Sequence, residues 1–297
     1  MPTYNLLHKT IYQYESDVTE SYTQVKLTPM ETFCQDIRFH SIRVEPDIST
    51  FSYIDYFGNH TEEFSIPFRH RKMEIVSTSE VSTFTPSLGP LNTPITVREA
   101  QDWFQRNYIE FFDYIHPSEF TPLTSKIREF AEYYFTQEKS FVQAIWDLNE
   151  AFTKIFKYRS GSTTINTPIE EVLQKKEGVC QDYSHLMIAC LRSIGLAARY
   201  VSGYVETYSL IGSEQSHAWI DVYIPNESWV GFDPTNNKTS SEQHIRIAMG
   251  RDFNDVSPVR GTFNGAGNHS LKVEVSMKRK DETLDNKHLQ ANAERKF

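Results

Sequence analysis

The stretch Glu177-Gly178-Val179-Cys180-Gln181-Asp182-Tyr183-Ser184-His185-Leu186-Met187-Ile188-Ala189-Cys190 constrains the fold more than any other part of the chain. Apolar residues at Leu186, Met187, Ala189, Cys190, Leu191 and Ile194 cover most sides of a helical projection, and Gly195 is a natural stop. A helix of that kind has to be wrapped by a sheet and by other helices. It also opens on a cysteine, two residues after Gly178. Unpaired backbone N–H groups and the positive end of the dipole at a helix start favour thiolate over thiol. The same N–H groups can hold the oxyanion formed when sulfur attacks a carbonyl. Cys180 is therefore the candidate nucleophile. Taken alone, a cysteine here is as readily a buried structural residue, so the case turns on a base and an orienting group.

Both are present downstream. Ser216 to Ile224 alternates in the period-two manner of a strand, with His217, Trp219, Asp221 and Tyr223 on one face. After Pro225-Asn226-Glu227-Ser228 comes a second strand-like run, Trp229-Val230-Gly231-Phe232-Asp233, which Pro234 terminates. A three- or five-residue loop centred on Pro225 would set His217 opposite Asp233, Trp219 opposite Gly231 and Asp221 opposite Trp229. Directly opposed Cα atoms lie ~4.5–5.5 Å apart, close enough for imidazole and carboxylate to meet. An even-numbered loop would put the two on opposite faces unless a bulge intervened. Singly, His217 reads as a strand histidine and Asp233 as a turn residue before proline; with Cys180 they read as base, orienting acid and nucleophile.

The run Gly178-Val179-Cys180-Gln181-Asp182-Tyr183-Ser184-His185-Leu186, then Ser216-His217-Ala218-Trp219, then Gly231-Phe232-Asp233-Pro234-Thr235-Asn236, resembles the transglutaminase-like superfamily of cysteine enzymes in its bacterial branch. The likeness extends to Phe156-Lys157-Tyr158 with Gly161-Ser162-Thr163, to Ala198 through Tyr204, and to His244 through Asp255. The N-terminal part, including Asp55-Tyr56-Phe57-Gly58-Asn59, resembles the domain that precedes this core in the branch. The resemblance covers roughly residues 1–280. It implies an α+β, papain-like (transglutaminase-like) core with a Cys-His-Asp triad, falling here on Cys180, His217 and Asp233. It also implies a cysteine peptidase or amidase that acts through a thioester and needs no cofactor. A transglutaminase that passes the acyl group to an amine, or a binding module that keeps the fold without turnover, are the alternatives.

A chain of 297 residues is long for one core, and the proline-rich stretch from Pro86 to Pro94 breaks any regular element. The expected division is residues 1–90 as an N-terminal β-sandwich, 91–280 as the catalytic domain and 281–297 as a charged, flexible tail. About six alternating strands fit the first part, with a hairpin at Gly58-Asn59. In the second, Thr96-Val97-Arg98-Glu99 is a capping box opening a helix that holds Ala100, Trp103, Phe104 and Phe111. Ile127–Phe135 and Phe141–Phe156 follow as helices, and Gly178 is expected to end a short helix that begins at Pro168. His269–Met277 alternates like a late strand.

The net charge of −9 argues against a nucleic-acid binder, which needs a basic face. Neither a signal peptide nor an apolar stretch of ~18 residues is visible, so no membrane span is expected. Three scattered cysteines, Cys34, Cys180 and Cys190, do not make a disulfide framework, and a reducing cytoplasm is the expected setting. Cys34 and Cys190 read as core, and His185 as a packing or hydrogen-bonding residue. Zinc is not expected, because no paired-ligand spacing is present, and no Asp-x-Asp-x-Asp-Gly loop marks calcium. A peptide or protein is the expected substrate. Tyr158 and Trp146 are candidates for a second oxyanion donor, and Gln181 and Trp219 for walls of the cleft.

Overall fold

The structure is a computed structural model that describes residues 1–206, 210–212 and 216–280; the proposed tail lies outside the described residues. The first ninety residues form six strands: β1 (Thr3–Val18), β2 (Glu20–Val25), β3 (Gln35–Glu45), β4 (Phe51–Ile54), β5 (His60–Ile66) and β6 (His70–Thr83). Alternation decides their faces. Val25, Phe64 and Ile66 from β2 and β5 share one buried cluster with Tyr14, Val18, Val44, Met73 and Ile75 from β1, β3 and β6. Two sheets therefore close on each other as a sandwich. Gly58, at φ 83°, turns the β4–β5 hairpin.

Helices follow the proline-rich stretch: α1 (Val97–Arg106), α2 (Phe112–Ile115), α3 (Ser125–Tyr134) and α4 (Phe141–Ile155). The Thr96–Glu99 capping box opens α1 as read, but the helix stops at Arg106 and Phe111 lies outside it. Next come β7 (Lys157–Tyr158), α5 (Ile169–Lys175), β8 (Glu177–Gly178) and α6 (Cys180–Ser193). Lys176, at φ 57°, ends α5, not Gly178. Gly178 serves another purpose: a Cβ there would lie 3.0 Å from the Asp182 side chain. From Asp182 to Ser193 every residue of α6 is buried. The wrapping is done by α3, α4 and α5 on one side and by an antiparallel sheet on the other.

That sheet has the order β12-β11-β10-β9-β13, from β9 (Ala198–Val205), β10 (His217–Tyr223), β11 (Trp229–Asp233), β12 (Lys238–Thr239) and β13 (His244–Gly250). After the short α7 (Phe253–Val256), the chain returns to the sandwich as β14 (Val259–Asn264) and β15 (His269–Arg279). The completed sandwich sheets are β15-β1-β6-β3 and β14-β2-β5-β4. Residues 259–279, grouped from sequence with the catalytic part, thus pair with strands of the first part. The sandwich is also fastened to β13. Gln35 bonds to both the N–H and the carbonyl of Arg246, and Asn59 does the same at Met249. Buried Tyr204 and His8 meet at 2.6 Å.

Candidate active site

His217 opens β10 and Asp233 closes β11. The hairpin between them pairs Ile220 with Phe232, Asp221 with Gly231, Val222 with Val230 and Tyr223 with Trp229. Its loop is Ile224–Ser228, centred on Asn226 at φ 63°, and not on Pro225. Proline is locked at negative φ, so the asparagine after it takes the left-handed position and the register moves by two residues. His217 therefore lies diagonally across from Asp233 and not directly opposite. An odd loop keeps both on one face, and a diagonal gap is within reach of an imidazole. His217 Nε2 and Asp233 Oδ2 are 2.9 Å apart, and both side chains are fully buried.

Asp233 is saturated with donors. Its Oδ1 accepts from the backbone N–H groups of Thr235 at 2.9 Å and Asn236 at 3.2 Å, while Oδ2 also accepts from the Asn236 amide at 2.8 Å. A second histidine, His244, places Nε2 3.3 Å from the same oxygen. His244 Nδ1 accepts from the Ser241 N–H at 3.2 Å, which puts the ring proton on Nε2 and makes the ring a neutral donor to Asp233. Burial opposes charge on Asp233, yet His217 and then His244 hold its carboxyl well below the usual carboxylate range. Burial likewise opposes charge on His217, but Asp233 and then Cys180 outweigh it, and its pKa is pushed up to about 10. Burial lowers the pKa of His244 against the pull of Asp233. The pair nearest the sulfur is thus an imidazolium on a carboxylate.

With Nε2 given to Asp233, Nδ1 is the nitrogen left for sulfur. No described group hydrogen-bonds to it, and Cys180 contributes to the raised pKa of the ring. Gly212, at φ 90°, lies so close that a Cβ there would sit 2.4 Å from His217 Nδ1. Cys180 is half-buried at the first position of α6. The turn before it is clamped by Asp182, whose Oδ2 accepts from the Val179 N–H at 2.8 Å and from Thr163 at 2.6 Å.

Cys180 and His217 open on a cleft of about 660 Å³, lined also by Tyr158, Gln181, Tyr200 and Ser202. Two of the sequence candidates, Tyr158 and Gln181, are therefore here. Burial, then the charge of Cys180, holds the Tyr158 hydroxyl above its usual range, so it stays a neutral donor beside the sulfur. Trp219 does not line this cleft. It is buried on the face of β10 away from α6, with its ring 6.2 Å from that of His217. Trp146 packs edge-on against Phe232 at 5.3 Å and does not reach the cleft. His185 is structural: burial drives its pKa down to about 3, and its Nε2 accepts from the Phe253 N–H at 3.1 Å. Cys190 is buried, as read, whereas Cys34 is half-buried in the wall of a second cavity. Among the described residues no group of three His, Cys, Asp or Glu side chains is placed to hold a metal, and no helix is long and apolar enough to cross a membrane.

Sequence reasoning missed His244, Asn236 and Gly212. Asn236 stood in the Asp-Pro-Thr-Asn run and His244 at the head of the run to Asp255, but neither had been given a role; the β12–β13 connection brings His244 to Asp233.

Residues 128–234 match the Transglutaminase-like superfamily, and residues 4–82 match the Bacterial transglutaminase-like N-terminal region. An uncharacterized protein of Mycobacterium tuberculosis is 36% identical over 293 residues, covering 92% of each chain. Over 86 residues the chain is 33% identical to a protein-glutamine gamma-glutamyltransferase of Pseudomonas aeruginosa, covering 26% of this chain and 13% of that one. Among solved structures, a candidate cysteine protease from Cytophaga hutchinsonii superposes with a TM-score of 0.73 at 20% identity, over 94% of this chain and 91% of that one.

Proposed function

Because this chain belongs to the transglutaminase-like superfamily, we propose that it is a cysteine-dependent peptidase or amidase acting through a thioester on Cys180, His217 and Asp233. The observation that carries the reading is the buried His217–Asp233 pair beneath the cysteine that opens α6. In the proposed cycle the thiol proton already rests on His217 Nδ1, as the imidazolium of an ion pair, and the Cys180 thiolate attacks an amide carbonyl. The tetrahedral oxyanion rests on the Cys180 N–H and the Tyr158 hydroxyl. The C–N bond breaks, His217 hands its proton to the departing amine, and the acyl group stays on sulfur. Water, deprotonated by the now neutral His217, then attacks the thioester, the C–S bond breaks, and the acid leaves with the imidazolium and thiolate restored. Asp233 keeps the imidazole proton on Nε2 and stabilises the imidazolium.

The substrate in this reading is a peptide or protein in the cytoplasm. A second reading, transfer of the acyl group to an amine, is favoured by the likeness to the gamma-glutamyltransferase. It differs only in what attacks the thioester. A non-catalytic module would be favoured by loss of a triad member, and all three are present. The test is a peptide library incubated with and without a labelled primary amine, comparing wild type with Cys180→Ala. Hydrolysis dependent on Cys180 supports the proposal, amine incorporation supports the second reading, and no thiol-dependent product refutes both.

A further inference from the structure

A second cavity, of about 320 Å³, lies on the face of β10 and β11 away from α6. Its volume is at the lower end of the ~300–1,000 Å³ usual for small-molecule sites. The walls are apolar and aromatic, with Trp219, Trp229 and Leu88 among them, and Cys34 comes from the sandwich side. Two guanidiniums also line it, Arg199 and Arg246. Both are bonded to one carboxylate, Asp221, whose side chain is fully buried. Arg246 grips Asp221 through both terminal nitrogens. Arg199 gives Asp221 only its Nε, at 2.9 Å, and lies 4.2 Å over the Trp229 ring beside the neutral Tyr114 hydroxyl.

The balance is two positive charges to one negative in a largely water-excluded place, which is costly without a further anion. The remaining titratable groups do not redress it. His244 is a neutral donor to Asp233, Cys34 is held as a thiol because burial raises its pKa, and Glu227 is exposed at the mouth, where it accepts from Thr93 at 3.4 Å. Trp219 also keeps its buried indole N–H without a partner among the described residues.

We propose that this cavity is a binding site for a small amphipathic carboxylate. The carboxylate meets the Arg199 guanidinium in the fork geometry that arginine favours, and the apolar body lies against Trp219, Trp229 and Leu88. The ligand would sit one side chain from the proposed triad, since the Trp219 ring is 6.2 Å from that of His217 and 5.2 Å from that of His244. Binding itself does not rest on the catalytic reading, so it is measured without turnover.

The experiment titrates octanoate, octan-1-ol and octylamine into the intact protein and follows the four indole N–H signals by NMR. Octanoate is expected to shift the Trp219 and Trp229 signals saturably, leave that of Trp146 in place, and bind at least tenfold more tightly than the alcohol or the amine. Arg199→Met keeps the bidentate Arg246–Asp221 pair and removes the excess charge. In that variant octanoate should bind within about threefold of octan-1-ol. Cys34→Phe, which fills the cavity from the sandwich side, should abolish binding. The inference is overturned if octanoate leaves Trp219 and Trp229 unshifted in wild type, or if octylamine binds as well. Binding unchanged in a folded Cys34→Phe, or a carboxylate preference that survives Arg199→Met, overturns it equally. The wild-type titration decides even if a variant does not fold.

Discussion

Replacing Asp233 with asparagine tests the electrostatics of the site most sharply, because the side chain keeps its shape and loses its charge. In the native protein Oδ2 accepts from His217, His244 and Asn236, and Oδ1 accepts from two backbone N–H groups. Whichever way the new amide is turned, its NH2 group faces donors. The relief open to His217 is to give up its Nε2 proton and accept there, a neutral ring that keeps its proton on Nδ1, which leaves no base toward the sulfur. The magnitude follows from the imidazolium. Asp233 is the main reason the His217 pKa stands at about 10 and not at its ordinary 6.5, and without it burial alone would pull the ring below that value. The step from about 10 to the ordinary 6.5 is worth on the order of 5 kcal/mol. If half of this reaches the thiolate, alkylation of Cys180 by iodoacetamide at pH 7 falls roughly fiftyfold. The assay is a time course of Cys180 carbamidomethylation by mass spectrometry, with circular dichroism to show that the variant is folded. A folded Asp233→Asn protein alkylated within threefold of the wild-type rate would show that Asp233 does not set the charge of His217.

In the native wild-type protein Cys180 should react with iodoacetamide at least tenfold faster than Cys34 or Cys190, both of which burial holds as thiols; equal labelling would count against an activated sulfur. Stability should carry the signature of His217. Its folded pKa is raised, so the folded state keeps a proton that the unfolded chain releases, and the stabilisation is complete below about pH 6.5 and lost as pH rises through about 10. The urea stability of wild type minus that of His217→Asn should therefore shrink by a few kcal/mol between pH 6.5 and 10, and a difference that stays flat would contradict the protonated pair. His244→Phe removes a donor from Asp233 and should slow Cys180 alkylation about tenfold, the worth of one charge-assisted hydrogen bond, while moving the alkylation pH profile. His244→Gln, which can still donate, should recover most of the rate, and a uniform loss in both variants with an unmoved pH profile would mark His244 as merely structural.

Local signals made the helix around Leu186 and the opposed parity of His217 and Ala218 readable from sequence, because burial on all sides of a helix and on alternate sides of a strand leaves a periodic trace. Ala218, Ile220 and Val222 do join the core around α6, and Trp219 and Asp221 do take the other face. The register of the β10–β11 hairpin was less legible. Proline marks a turn without fixing its centre, and the decisive residue was Asn226, which accepts positive φ. Trp219 was misplaced for a related reason: sharing a face with His217 does not mean sharing a cleft, since the cleft beside Cys180 takes in the start of β10 at His217 and Ala218 and stops short of Trp219. Least legible were pairings between distant parts of the chain. That β15 would lie beside β1, or that Arg199 and Arg246 would share Asp221, depends on how separate strands stack and leaves no local pattern.

The most direct test of the proposed thioester is to mix the protein with p-nitrophenyl acetate, quench within the first turnover and map the acetyl group by mass spectrometry. A thioester route gives a burst of nitrophenolate matched by an acetyl thioester on Cys180 that hydroxylamine removes, with neither seen in Cys180→Ala. Steady release of nitrophenolate with no acyl group on Cys180, or at the same rate in Cys180→Ala, would contradict it.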